Sequence, residues 1–415
     1  MYKRQADTFA SPNRSLTNAR GGASGGRLAW SSIHIMTKNS HIVLVAGGTA
    51  GHLFPALATA QTLQAQDYSV ALICDHRTRS HLQSQNITIT AHTLPAASPR
   101  SRNPVTIALA TFTLINSTLK AARLFIARRP RAVITFGGYT SIPPAIAAIT
   151  LRIPTIIHEQ NHTLGLANKL LAPVATTIAT SFPDTRGLPK YARRKTTTTG
   201  TPVRANIAAV AGTPYKTPQG GGTVNVLVIG GSQGAETFNH LIPETIALLP
   251  ENIRGRLRIT QQVRGDTASV RRQYQDLNIN ADLAGFFTNI DELLADTHLV
   301  IARAGASTVA ELVATARPAI LIPYPHAANN HQTHNARNFA NLGGGQMLAQ
   351  DKASPRTLAD TLAEWLANPD KLIAASNALR NQSPKNPEAR LANCVRDIIA
   401  RKSAGRRQTK ERLAL

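Results

Sequence analysis

Three glycine-rich turns hold most of the residues whose types and spacing could do chemistry. The first, Gly47-Gly48-Thr49-Ala50-Gly51-His52, follows the apolar run His41 to Ala46 and precedes a helical pattern, Leu53 to Leu63. Glycines at a strand-to-helix turn let backbone N–H groups approach an oxyanion, and the helix N-terminus adds partial positive charge. A bare tight turn needs only one glycine, so the turn reads as an anion site. It matches neither the Gly-x-Gly-x-x-Gly fingerprint nor the P-loop, which disfavours a dehydrogenase or an NTPase. His52 stands at the mouth of the same turn. A lone histidine is usually structural, but beside an anion site its near-neutral titration makes it a candidate general base. The second turn, Gly137-Gly138-Tyr139-Thr140-Ser141, offers backbone donors and three hydroxyls. It reads either as an ordinary βα loop or as a second cradle for a diphosphate. His158-Glu159-Gln160-Asn161 packs four polar side chains at a strand end, a density that suits hydrogen bonding to sugar or phosphate better than packing. The third turn, Gly230-Gly231-Ser232-Gln233-Gly234-Ala235, repeats the first. Further on, Arg303 to Glu311 places Ser307 where an N-cap is expected and Glu311 one turn into the helix. That carboxylate could accept both hydroxyls of a ribose or simply complement the helix dipole. Asp-x-Asp occurs nowhere in the chain, so no acidic pair is on offer for a metal-bound nucleotide diphosphate. The expectation is a metal-independent transferase with no cofactor.

These residues need strands and turns to position them. Short β-branched runs recur at His41 to Ala46, Val70 to Cys74, Ala132 to Phe136, Pro154 to Ile157 and Thr176 to Thr180, each followed by a turn and a helical pattern. A second set occupies Val224 to Ile229, Leu257 to Gln261, Leu283 to Phe286, His298 to Ala302 and Ala319 to Pro323. Strands alternating with helices are βαβ units on a parallel sheet. The expected fold is α/β, two Rossmann-like doubly wound domains facing across a cleft. Expected boundaries are residues 41–205 for the first domain, 206–222 for a Pro/Gly-rich linker, 223–400 for the second domain and 401–415 for a basic tail. Ser354 to Lys402 reads as helical packing. Met36 reads as a start, with residues 1–40 an extension outside the fold. The first 35 residues have no apolar core of the kind a signal peptide requires.

Composition sets the partners. The formal net charge of +24 is distributed as +5 over residues 1–40, +13 over 41–205, +1 over 206–400 and +5 over 401–415. A basic half beside a nearly neutral one suits one domain facing an anionic surface while the other binds a small molecule. Nucleic acid would select the same charge, but aromatic stacking motifs of the RNA-binding kind are absent. Cys74 and Cys394 are too few to staple a chain of 415 residues. The stretch Val105 to Arg129 carries apolar residues including Phe112, Ile115 and Leu119, flanked by Arg100, Arg102, Lys120, Arg123, Arg128, Arg129 and Arg131. Interrupted by Thr, Asn and Ser, it does not look like a transmembrane helix. It reads either as a face for an anionic bilayer or as a core helix with solvated charges.

In the order and spacing of these motifs, with Thr201-Pro202-Val203-Arg204 and His331-Gln332 before Asn335-Ala336, the chain resembles the MurG family of GT-B glycosyltransferases from about His41 to about Lys402. The resemblance implies an inverting, single-displacement transfer of N-acetylglucosamine from UDP-N-acetylglucosamine to the 4-hydroxyl of the muramyl sugar of lipid I. It implies a peripheral enzyme on the cytoplasmic face of the cell membrane, in contact with anionic lipid and not with nucleic acid. Donor contacts would fall on Thr49, Ala50, Gly51, Asn161, Arg204, Ser232, Phe287, Ala306, Ser307, Thr308, Val309, Ala310, Glu311 and Gln332. Within that set, Phe287 would lie near the uracil, Glu311 would hold the ribose, and Ser232 with the helix near Ser307 would face the diphosphate. Asn161 and Gln332 would address the sugar. Acceptor contacts would fall on Gly47, Gly48, Gly137, Gly138, Tyr139 and Glu159, with His52 as the base. The alternatives are a UDP-N-acetylglucosamine 2-epimerase or another GT-B enzyme with the same donor, and more remotely a nucleic-acid-binding protein. The chain departs from the family pattern in Ala50 for a third glycine, Thr201 for Asn, and Asn329-Asn330 for Asp-Asn or Asp-Arg.

Overall fold

The computed structural model describes residues 41–84, 88–96, 103–218, 221–231 and 235–413. The N-terminal extension, Arg100, Arg102 and Ser232 lie outside the described residues. Among the described residues, thirteen strands form two all-parallel sheets. The first holds β1 (His41–Val45), β2 (Ser69–Cys74), β3 (Thr90–Thr93), β4 (Ala132–Thr135), β5 (Thr155–Glu159), β6 (Thr177–Thr180) and β7 (Thr196–Thr198). The second holds β8 (Val224–Ile229), β9 (Leu257–Gln262), β10 (Asn280–Ala284), β11 (Leu299–Ala302), β12 (Ala319–Leu321) and β13 (Gly345–Met347). Their orders are β3-β2-β1-β4-β5-β6-β7 and β10-β9-β8-β11-β12-β13. The central strands are buried on both faces, as the unbroken apolar runs require: every residue of β1, β4 and β11 is buried.

Strand order explains where the glycine turns must meet. β1 pairs in parallel with both β2 and β4, and β8 with both β9 and β11. Connections run to opposite sides from β1 and from β8, so a crevice opens at the carboxyl ends of β1 and β4 in one sheet and of β8 and β11 in the other. The Gly47 and Gly137 turns leave β1 and β4. The Gly230 and Arg303–Gly305 turns leave β8 and β11.

The domain boundaries differ from the expected ones at both crossings. Val203 and Ile207 pack with Leu227, Val300 and Leu312 in the second core. At the far end, Leu391, Ala392, Val395, Ile398 and Ile399 on the helix Pro387–Leu413 join Ile42, Leu44 and Leu53 in the first core. The stripe at i, i+1, i+4, i+7 and i+8 makes this helix amphipathic, and it covers the helix Ala50–Gln64 rather than extending the second half. Each fully buried Leu or Ile contributes about 1.5–3 kcal/mol, so these residues tie the halves together. Cys74 and Cys394 sit as free thiols in this core.

The helix Pro104–Ala127 starts at Asn103, whose side chain accepts a bond from the Val105 N–H at 2.9 Å, with Pro104 at the first position. By length and composition alone it is apolar enough to cross a membrane. Its packing makes it a layer of the first domain: Ala110, Ser117, Ala121 and Phe125 are buried on one face. The other face leaves Phe112 69%, Ile115 56%, Leu119 54% and Ile126 69% exposed. A helix that packs only through one stripe and shows water a second apolar stripe is not an ordinary core helix.

Candidate active site

The Gly47 and Gly137 turns are pressed together at the crevice of the first sheet. Gly48, Gly137 and Gly138 all have positive φ, at 85°, 90° and 76°. A Cβ on Gly47 would lie 2.5 Å from Thr140 Oγ1, and one on Gly137 would lie 3.2 Å from His52 Cε1. Glycine is thus required for backbone conformation and for the approach of the second turn to the His52 ring. Ala50 has no such requirement, because it opens the helix Ala50–Gln64 with ordinary φ while Thr49 is the N-cap. Thr49 makes no side-chain cap bond and the first turn holds no acid. Among the described residues the N–H groups of Ala50 and Gly51 have no backbone partner, leaving donors for an anion.

His52 is half-buried, and its Nδ1 lies 3.1 Å from Gln160 Oε1. Gln160 Nε2 donates to His158 O at 3.2 Å and lies 2.8 Å from His158 Nδ1. His158 Nε2 lies 3.0 Å from Gly200 O. Burial lowers the His52 pKa against the opposing bond to Gln160, and burial pushes that of His158 down to about 4. Both rings are neutral at physiological pH, which a base requires.

Glu159 has another task than the expected one. It is 2% exposed; its Oε1 accepts bonds from Asn161 N and Asn161 Nδ2, both at 3.0 Å, and its Oε2 from Gly165 N and Asn168 Nδ2, both at 2.8 Å. With four donors satisfied it has no capacity left for an acceptor molecule. It holds the loop that presents Asn161. Tyr139 is half-buried on the short turn Tyr139–Ser141.

Across the crevice, the helix Ala306–Thr315 packs against Ala50–Gln64. Its N-cap is Gly305, with no side-chain cap bond, and not the expected Ser307. Val309 N bonds to Gly305 O at 2.9 Å, which leaves the N–H groups of Ala306, Ser307 and Thr308 uncommitted among the described residues. Val309 is 2% exposed in the core, and with Ala310 it lines a cavity of about 590 Å³ at the crossover beside Gly200 and Pro384. Their side chains serve that junction. Glu311 Oε1 accepts from Arg204 Nε at 3.1 Å and Nη2 at 2.9 Å, and the guanidinium lies 4.4 Å from the centre of the Phe54 ring. This clasp joins the halves. Burial raises the Glu311 pKa, outweighing the opposing pull of Arg204. Gln332 Oε1 accepts from Ala304 N at 3.2 Å and Tyr324 N at 2.9 Å, pinning the strand end before Gly305. Phe287 is half-buried in the loop after β10. Gly231 has φ 80° at the start of the third turn.

Two further residues of the sequence motifs tie the site together. One is Gln160. The other is Asn335, whose Nδ2 donates to Asn161 Oδ1 and Ala304 O, both at 3.1 Å, while its Oδ1 accepts from His162 N at 3.0 Å. Its spacing three residues after Gln332 on one helix was the available signal. Among the described residues no cluster of His, Cys, Asp and Glu is arranged to hold a metal.

Residues 42–180 match the glycosyltransferase family 28 N-terminal domain and residues 225–391 its C-terminal domain. A Brucella anthropi protein named UDP-N-acetylglucosamine--N-acetylmuramyl-(pentapeptide) pyrophosphoryl-undecaprenol N-acetylglucosamine transferase is 41% identical over 87% of this chain and 96% of its own length. A protein of the same name from Rhodospirillum centenum is 42% identical over 85% and 93%. The crystal structure of Acinetobacter baumannii MurG superposes with a TM-score of 0.69 at 28% identity, over 86% of this chain and 99% of that one. A UDP-N-acetylglucosamine 2-epimerase structure from Listeria monocytogenes has a TM-score of 0.59 at 12% identity, over 85% and 94%, a likeness of fold alone. With both sheets of the GT-B arrangement present and relatives above 40% identity along nearly their whole length, the chain belongs to glycosyltransferase family 28 and, within it, to the MurG N-acetylglucosaminyltransferases.

Proposed function

We propose that the chain transfers N-acetylglucosamine from UDP-N-acetylglucosamine to the muramyl 4-hydroxyl of lipid I, forming lipid II by a single inverting displacement. The observation that carries this reading is the placement of His52, a neutral imidazole lodged between two glycine turns at an uncapped helix N-terminus that meets a second uncapped helix across the crevice. His52 takes the proton of the attacking hydroxyl as its oxygen bonds to the anomeric carbon and the bond to UDP breaks. Base catalysis supplies about 10²–10⁴-fold, and positioning between the halves supplies much of the remainder. The departing diphosphate is stabilised by the N–H groups of Ala306, Ser307 and Thr308, which are uncommitted among the described residues, and the family resemblance adds the Ser232 hydroxyl as a further donor. Glu311 meets the ribose through Oε2, which accepts no bond among the described residues. Phe287 flanks the uracil, and Asn161 and Gln332 face the sugar. Thr49, Ala50 and Gly51 sit where the donor approaches the first turn, and Gly47, Gly48, Gly137, Gly138 and Tyr139 form the cradle for the acceptor diphosphate.

The exposed stripe of Pro104–Ala127, with Lys120, Arg123, Arg128 and Arg129 around it, supports peripheral attachment to an anionic membrane, where the lipid acceptor resides. UDP release with and without a lipid I analogue tests the reaction class. A transferase releases UDP only with acceptor, whereas an epimerase converts UDP-N-acetylglucosamine alone. Equal turnover of the donor in both arms would reject the transferase reading.

A further inference from the structure

We propose that Gln160 is a positioning residue that fixes the tautomer of His52, holding its proton on Nδ1 and leaving Nε2 as the atom that receives the acceptor proton. This rests on the reading of His52 as the base. The amide orientation follows from its neighbours: one end of Gln160 lies 3.2 Å from the carbonyl oxygen of His158, so that end is the NH₂. Its oxygen therefore faces His52 Nδ1 at 3.1 Å. An amide oxygen only accepts, so Nδ1 carries the hydrogen and the lone pair of the neutral ring lies on Nε2. The same NH₂ lies 2.8 Å from His158 Nδ1, which must accept, so His158 carries its hydrogen on Nε2 and donates to Gly200 O at 3.0 Å. Each link has one donor and one acceptor, and reversing any link leaves two like groups facing each other.

Burial makes this arrangement binding. Gln160 is 1% and His158 0% exposed, so water cannot replace a lost partner, and an unmatched group carries its full desolvation cost. The terminal carbonyl is itself fixed. Gly200 has φ +83°, and a Cβ there would lie 2.7 Å from Pro384 at the crossover between the halves. The charged and titratable groups facing His52 from its neighbours are Glu159 on β5, which favours the imidazolium, and His331 at the head of the helix His331–Asn341, which disfavours it. The bond to Gln160 and one to the Phe136 backbone also favour the imidazolium.

Two variants move the system in opposite senses. In Gln160→Leu the acceptor for Nδ1–H is gone, so the ring takes both tautomers, kcat falls roughly 10- to 100-fold, reaching at most the lower end of a base's contribution of about 10²–10⁴-fold, and the acidic limb of the kcat profile moves to lower pH. In Gln160→Glu an anionic acceptor faces Nδ1 and the limb moves to higher pH. Donor KM stays near the parent's in both. The tautomer is read independently of activity by long-range ¹H–¹⁵N correlation of protein labelled at its 13 histidines, with His52 assigned from the signal missing in His52→Asn. A proton on Nδ1 in the parent, and a mixed pattern in Gln160→Leu, supports the proposal. A proton on Nε2 in the parent, or the Nδ1 pattern kept in Gln160→Leu, overturns it. If the tautomer changes as stated while neither limb moves, the tautomer assignment holds and the base reading of His52 is overturned instead.

Discussion

Replacing Glu311 by Gln separates its two roles. The carboxylate is buried, with its side chain 10% exposed and that of Arg204 20%. Removing one partner of a buried ion pair costs about 3–5 kcal/mol when a charge is left unmatched. Here the amide oxygen of Gln still accepts from Arg204 at the distances now taken by Oε1, and the guanidinium keeps its place over Phe54. Burial also raises the Glu311 pKa above its unfolded value, so its contribution to stability is present below the ordinary carboxylate pKa and lost as pH rises through the raised one. Gln does not titrate. Glu311→Gln should therefore lie within about 1 kcal/mol of the parent at neutral pH and gain relative to it as pH rises through that window. Glu311→Ala, which removes both bonds and leaves a void, should lose about 2–4 kcal/mol. For the donor, a charge-assisted bond to a ribose hydroxyl is worth about 1.5–3 kcal/mol, so Glu311→Gln should weaken UDP binding about 10- to 150-fold. Urea unfolding at several pH values and calorimetric titration with UDP measure the two effects. Unchanged UDP affinity in Glu311→Gln would confine Glu311 to the clasp and refute the ribose contact.

Gly137→Ala should lower turnover severely with donor affinity kept, because the residue has φ 90° and its Cβ would press on the His52 ring at 3.2 Å; turnover equal to the parent's would show that the second turn does not set the histidine. Replacing Arg123, Arg128 and Arg129 by Glu should release the protein from anionic vesicles at moderate salt, while Phe112→Glu should weaken binding at every salt concentration. Equal sedimentation with neutral and anionic vesicles would count against the electrostatic part. Turnover should persist in excess EDTA, since the sequence lacks an Asp-x-Asp and the uncapped helix ends supply the donors; complete loss reversed by Mg²⁺ would contradict this.

The sheet centres were legible because a strand buried on both faces has to be apolar throughout, as His41–Val45 and Val224–Ile229 are. Strands at or near the edges were not. Thr90–Thr93, Thr196–Thr198 and Gly345–Met347 are short and half-exposed, so neither composition nor alternation marks them. β10 was displaced towards Phe286 because the apolar residues after Ala284 belong to the loop. The glycine turns were legible from backbone requirements that only glycine meets. The fate of Glu159 was not, because four donors from residues 161, 165 and 168 converge on it only after the loop folds back. The return of Pro387–Leu413 to the first core was hidden because an amphipathic stripe names a face and not its partner.

The central claim, that His52 is the base of an acceptor-dependent transfer, is tested most directly by His52→Ala assayed for single-turnover UDP release with lipid I analogue and, on the same preparation, for equilibrium UDP-N-acetylglucosamine binding. The account predicts a rate lower by about 10²-fold or more with donor affinity nearly intact. A rate within about tenfold of the parent, below the range of a general base, would contradict it, as would a mutant that keeps turnover and loses the donor.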